Sequence, residues 1–192
     1  MKWTTSMSLF AAFTLSCLPA QSYAADVPVV FPEVVADYVY AVVQNHRAFY
    51  TNNVVHLLED QGVATADAEW ATQKKTIPLP VQIINETSKG FSAKFSGLRY
   101  QLISLWPINV KNTPRDQVDK NSLEELSLRP ERPISRIIKI KDQTYFRAIY
   151  PDIGVNQACV SCHNSHPNSP KKDFQVGDIM GGLIIEFPVE NR

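Results

Sequence analysis

The apolar positions between residues 26 and 60 recur at steps of three and four. Val35, Val39, Val42, His46, Phe49 and Asn53 fall on one stripe, with Tyr38, Val43 and Tyr50 beside it. Pro28 and Pro32 mark the start of this run and Gln61-Gly62 its end, so the spacing predicts one long amphipathic helix. His46 lies on the stripe expected to face the core. His56 lies about 80° from it at 3.6 residues per turn, on a flank.

The pattern then changes. Residues 63–76 are polar and alanine-rich with no clear period, and Ile77-Pro78-Leu79-Pro80 is extended by its prolines. Residues 81–95 suit a helix holding Ile83, Ile84, Thr87 and Phe91. Residues 97–106 alternate and read as a strand, and 115–128 suit a short helix. Residues 134–141 and 144–150 form the clearest hairpin, with its turn near Lys141-Asp142-Gln143. A loop over 151–158 leads to the cysteine-containing segment, and 164–177 is polar. Residues 178–187 are apolar on both faces, which predicts a central strand. Gly181-Gly182 within it would permit close approach of another backbone or of a flat ligand. The order of elements gives an α+β domain, an antiparallel sheet with a long N-terminal helix.

Composition narrows the function. Lys+Arg and Asp+Glu are equal at 19 each, which argues against nucleic acid as a partner and against electrostatic attachment to a membrane. Hydrophobic residues make up 44% and charged residues 20%, as in a globular domain. The first residues read as a targeting segment. Lys2 supplies a positive start, 8–18 a short apolar run, Pro19 a break, and Ser22-Tyr23-Ala24-Ala25 small residues at cleavage spacing. A signal peptide over 1–24 and a single domain over 25–192 are expected, with a soluble periplasmic or otherwise exported product. The apolar run is short for a retained membrane anchor, and Thr14-Leu15-Ser16 is a poor lipobox before Cys17.

Of the three cysteines, Cys17 leaves with the signal. The remaining pair stands in Cys159-Val160-Ser161-Cys162-His163, the C-x-x-C-H pattern of covalent haem c attachment. Each thiol adds across a porphyrin vinyl group to form a thioether, and His163 supplies a neutral imidazole to the iron. Other chemistries fit parts of the pattern: a redox dithiol, a structural disulfide, or a zinc site of Cys159, Cys162, His163 and His166. For the opposite axial position the mature chain offers His46, His56, Met180 or no protein ligand, and His46 leads because of its place on the stripe. Arg99, Arg136 and Arg147 on expected strands could pair with haem carboxylates or be ordinary surface arginines.

The run from Cys159-Val160-Ser161-Cys162-His163-Asn164-Ser165-His166-Pro167 to Phe174, followed by Val176-Gly177-Asp178, resembles the haem segment of a known family. This is the PAS-like haem-c sensor-domain family, formerly catalogued as a domain of unknown function. Phe49-Tyr50-Thr51 with Val54-Val55, and Ile77-Pro78-Leu79-Pro80, are similar to its upstream landmarks. The resemblance implies a PAS-like fold with one covalent haem held against the sheet and the long helix. It also implies a sensing role, since members form the extracytoplasmic sensing part of signalling proteins. Some members place a cysteine at the second axial position, and no cysteine is left here to do so. The expected function is a redox or ligand sensor module, with a soluble electron-transfer cytochrome as the alternative. No distal acid–base pair for peroxidase chemistry is visible, so an enzyme is not expected. The expected partner is a redox or signalling protein, with a homodimer through the N-terminal helix suggested by analogy.

Overall fold

The computed structural model describes residues 30–95 and 97–190, so the expected signal peptide over 1–24 lies outside the described residues. The first helix, α1, covers Pro32–Tyr50 and opens on a proline, whose missing N–H would be unpaired in a first turn anyway. It continues through a π-helical turn over Thr51–Val55 into α2, His56–Asp60. The expected helix is therefore present, but with one widened turn that re-aims the residues beyond it.

Two short parallel strands, β1 (Thr65–Asp67) and β2 (Thr76–Pro78), follow in the stretch that showed no period. After α3 (Pro80–Lys94) come β3 (Arg99–Ile103) and α4 (Gln117–Leu128). The hairpin is β4 (Ile134–Ile140) and β5 (Gln143–Ile153), three residues longer at its far end than the alternation indicated. A helix, α5 (Gln157–Ser165), carries the cysteines, and β6 (Ile179–Pro188) closes the sheet.

The sheet is antiparallel throughout, in the order β3-β6-β5-β4. β6 lies between β3 and β5, as its two-faced apolar pattern predicts. Leu183 and Ile185 face α1 and α3, where Ala36, Val43 and Ile84 pack on them. Ile184 faces α4, where it meets Leu123 and Leu126. The α+β class with an antiparallel sheet and an N-terminal helix is thus the observed one. No helix among the described residues is long and apolar enough to cross a membrane.

The helical stripe needs correction. Ala36 and Val43 are the buried positions of α1, whereas Val42 is 55% and Phe49 64% exposed, and His46 is exposed too. Valines at 34, 35, 39, 42 and 43 populate two adjacent stripes about 100° apart. The sheet takes the stripe with the small Ala36, which allows the closest approach. Tyr40 on that side stacks on Tyr150 at 4.2 Å, and the Tyr150 hydroxyl donates to Asp37 at 2.6 Å.

Gly181 and Gly182 serve the sheet rather than a flat ligand. A Cβ on Gly181 would overlap the Ile103 carbonyl oxygen of the neighbouring strand, and one on Gly182 would come within 2.5 Å of the Ile149 side chain. The close approach foreseen for this pair is made by the protein's own strands.

Candidate cofactor-attachment site

Between β5 and β6 the chain leaves the sheet and returns. A bulge between Asp152 and Ile153 ends the regular pairing. The neck of the excursion is closed by Gly154 N–H donating to the Asp178 carbonyl and Gly177 N–H donating to the Gly154 carbonyl, each at 2.9 Å. Within it, Asn156 caps α5 by accepting from the Cys159 N–H at 3.0 Å.

Helical spacing then aligns the motif. Cys159, Cys162 and His163 stand at i, i+3 and i+4, so all three fall within an arc of about 100° on α5. Val160 points inward and is buried. Cys159 and His163 are half-buried, Cys162 is exposed, and both thiols are free. Two sulfurs and an imidazole are therefore presented together at the edge of the domain.

Behind this face lies a small apolar cluster of Val160, Phe174 and Met180, with Trp106 and Cys159 at its margin. Phe174 is the centre of it. Its ring stands edge-on to His163 at 6.0 Å and to Trp106 at 5.8 Å, and the Lys171 ammonium lies 4.8 Å from its centroid. Asn164 binds its backbone both ways: Nδ2 donates to the Phe174 carbonyl at 2.9 Å, and Oδ1 accepts from the Phe174 N–H at 3.0 Å. The polar stretch after the motif is thus clamped back onto α5. Phe174→Ala should cost about 3–5 kcal/mol by emptying this cluster. A chemical denaturation midpoint, compared with wild type, checks that loss, and a change near zero would contradict the packing.

His163 has an imidazole suited to binding a metal. Its Nδ1 is enclosed and has no hydrogen-bond partner among the described residues. Burial holds its pKa below the ordinary histidine value, with Asp152 opposing that shift and Arg47 and His166 adding to it. The shift favours the neutral imidazole, the form that binds metals. The Cys162 thiol, exposed on one side, is pushed up by partial burial on the other and by the charges of Cys159 and Glu59. The donor set and the orphaned nitrogen fit a group that takes two sulfurs and one nitrogen from a single helix face.

A zinc site fits poorly. His166 Nδ1 accepts from the Asn168 N–H at 3.1 Å, and no three His, Cys, Asp or Glu side chains converge as metal ligands among the described residues.

The remaining expected residues are dispersed. His46 lines a groove between α1 and α3 with Tyr38, Val42, Ile83 and Phe91. No hydrogen bond, ion pair or ring contact joins it to the motif among the described residues, and its argument from a buried stripe no longer holds. Met180 fills the apolar cluster under Gly154, where a Cβ would come within 2.7 Å of its sulfur. Arg147 and Arg99 are bound to Glu186, and Arg136 to Glu125. The side chain of α1 that turns toward the attachment helix is Arg47, which forms an ion pair with Asp152. It stands one position beyond His46, and a helical register drawn one residue later would have found it. Phe174 and Asn164 carried no signal of their own outside the resemblance.

The model of the Tll0287-like family matches residues 32–188 of the chain. Among solved structures, the cyanobacterial haem protein Tll0287 is similar at 16% identity with a TM-score of 0.49, covering 85% of this chain and 99% of that one. No curated protein matches the chain.

Proposed function

The chain belongs to the Tll0287-like family, and from that premise we propose that it is an exported c-type cytochrome with one covalent haem, working as a redox or ligand sensor and not as an enzyme. The observation that carries this is the display of Cys159, Cys162 and His163 on one helix face, with an enclosed imidazole nitrogen that has no partner among the described residues. Cys159 and Cys162 would form the thioethers, each S–H adding across one vinyl C=C. His163 would bind the iron, its ring held by the edge contact with Phe174. A bound haem supplies a one-electron couple and, where an axial position is free, a place for a small gas. Among the described residues, His46 lines the groove between α1 and α3 and Met180 lies inside the apolar cluster, which favours a free position over either of them.

The sheet, with its first strand beside its last and the long helix across one face, supports the PAS-like reading. Sensing is favoured by the mechanical link between α1 and the strand that leads into α5, through Tyr40, Arg47 and Asp152. A change at the site can reach the N-terminal helix and, through it, a signalling partner. The exposure of Cys162 supports the second reading, a soluble electron carrier, because it brings the attachment edge to the surface. Carbon monoxide separates the two. We expect it to shift the visible spectrum of the reduced holoprotein. A reduced spectrum that ignores carbon monoxide would overturn ligand sensing and favour the carrier.

A further inference from the structure

Arg47 on α1 and Asp152 at the end of β5 form an ion pair at the base of the attachment helix. Their side chains are 22% and 13% exposed. The position is defined from both sides. Tyr40, two turns before Arg47, donates its hydroxyl to the Pro151 carbonyl at 3.5 Å and stacks on Tyr150, which holds α1 on this strand. Two residues after Asp152, Gly154 lies against α5 so closely that a Cβ there would be 3.4 Å from Val160. Val160 is the inward residue between the two motif cysteines. The pair thus stands at the foot of α5, and its two charges oppose each other at His163: Asp152 favours the charged imidazole and Arg47 the neutral one.

This pair differs from the other enclosed charges. On the α4 face of the sheet, Arg115 and Arg147 and three carboxylates bind one another and tie α4 to β5 and β6. Arg47 and Asp152 have only each other, and neither side chain makes another hydrogen bond among the described residues. Withdrawing two charges from water for a single contact is a poor stabiliser. In a partly enclosed place, however, each charge acts on its surroundings far more strongly than in water.

We propose that Arg47 and Asp152 are an electrostatic control on the iron that the motif holds, Arg47 favouring the reduced state and Asp152 the oxidised state. The proposal rests on the haem reading above. Uptake of one electron lowers the positive charge at the iron by one. A neighbouring cation favours that change and a neighbouring carboxylate opposes it. The pair is nearly balanced as a unit, so its effect is released when one member is neutralised. Both are positioning residues, acting on the iron through space.

The test is a potentiometric titration of the haem-loaded full-length protein, with small redox mediators as electron donors and acceptors, for wild type, Arg47→Gln, Asp152→Asn and the double variant. We expect Arg47→Gln to shift the reduction equilibrium about tenfold toward the oxidised form, which is about 59 mV for one electron. Asp152→Asn should shift it by a similar factor the other way, and the double variant should return close to wild type. A merely structural pair would not give opposite signs. Should Arg47→Gln not fold, Asp152→Asn carries the test alone, since loosening the site by itself gives no shift toward the reduced form. Shifts of one sign in both single variants, or none in either, overturn the proposal while the haem reading stands. A wild-type protein without haem overturns the haem reading itself.

Discussion

Replacing Cys159 and Cys162 together with alanine is expected to abolish covalently bound haem. The effect should be all or none in a haem stain after denaturing electrophoresis, because a ligand held by His163 alone dissociates when the chain unfolds. The fold should tolerate the change. Cys162 is exposed, Cys159 sits at the margin of the small cluster, and α5 keeps its Asn156 cap and its buried Val160. Changes at such positions are usually small, about 0.5–1 kcal/mol. Far-ultraviolet circular dichroism should therefore match wild type while the stain disappears. Either single variant should keep one thioether and a weakened stain. Covalent haem that survives in the double variant would place the attachment elsewhere.

Arg147→Met is expected to bring the domain close to unfolding. Arg147 is 3% exposed and donates to Asp116 at 2.8 Å, Asp119 at 2.7 Å and Glu186 at 2.5 Å. Asp119 and Glu186 are fully enclosed. Methionine fills much of the space but leaves those carboxylates short of a cation. Arg115 still reaches both, and Arg99 still reaches Glu186. Breaking a buried ionic group from one side costs about 3–5 kcal/mol, a large share of a total of about 5–15 kcal/mol.

Acid should reveal the same network. Burial alone would push the Glu186 carboxyl up, but Arg115, Arg147 and Arg99 outweigh it and hold it below the usual carboxylate range. Asp116 is lowered in the same way, its burial overcome by Arg147 and Arg115 and by the Asp119 N–H. Depressed carboxylates stabilise the fold fully above their unfolded pKa values, about 4, and that contribution is lost as pH falls through the depressed folded values. Wild-type stability, read from denaturant midpoints, should thus decline below about pH 4. The gap between wild type and Arg147→Met should narrow there, because a protonated carboxyl no longer requires the cation. A gap that stays constant with pH would contradict the ionic account.

The parts of this architecture legible in the sequence are those set by short-range pattern. Alternation marked β4 and β5, because one strand period places every second side chain on the same face. An apolar run on both faces marked β6 as central, because only an inner strand covered on both sides buries both sets. The motif was legible because its five residues are contiguous and need no tertiary contact to be recognised. The rotation of α1 was not legible. Its valines satisfy two neighbouring stripes, and the choice between them is made by Ala36 and Tyr40 meeting the sheet, a contact between residues more than a hundred positions apart. That one-residue rotation moved His46 to the surface and brought Arg47 to Asp152. The role of Phe174 was hidden for a related reason. Its position against His163 depends on Asn164 gripping a backbone ten residues away, which no periodicity records.

The most direct test of the central claim is the intact mass of the wild-type chain, matured in a host that assembles haem c, exported, and denatured before measurement. The covalent reading expects the polypeptide plus one haem, with both motif thiols consumed. A mass equal to the bare polypeptide, with Cys159 and Cys162 still open to alkylation, would contradict it.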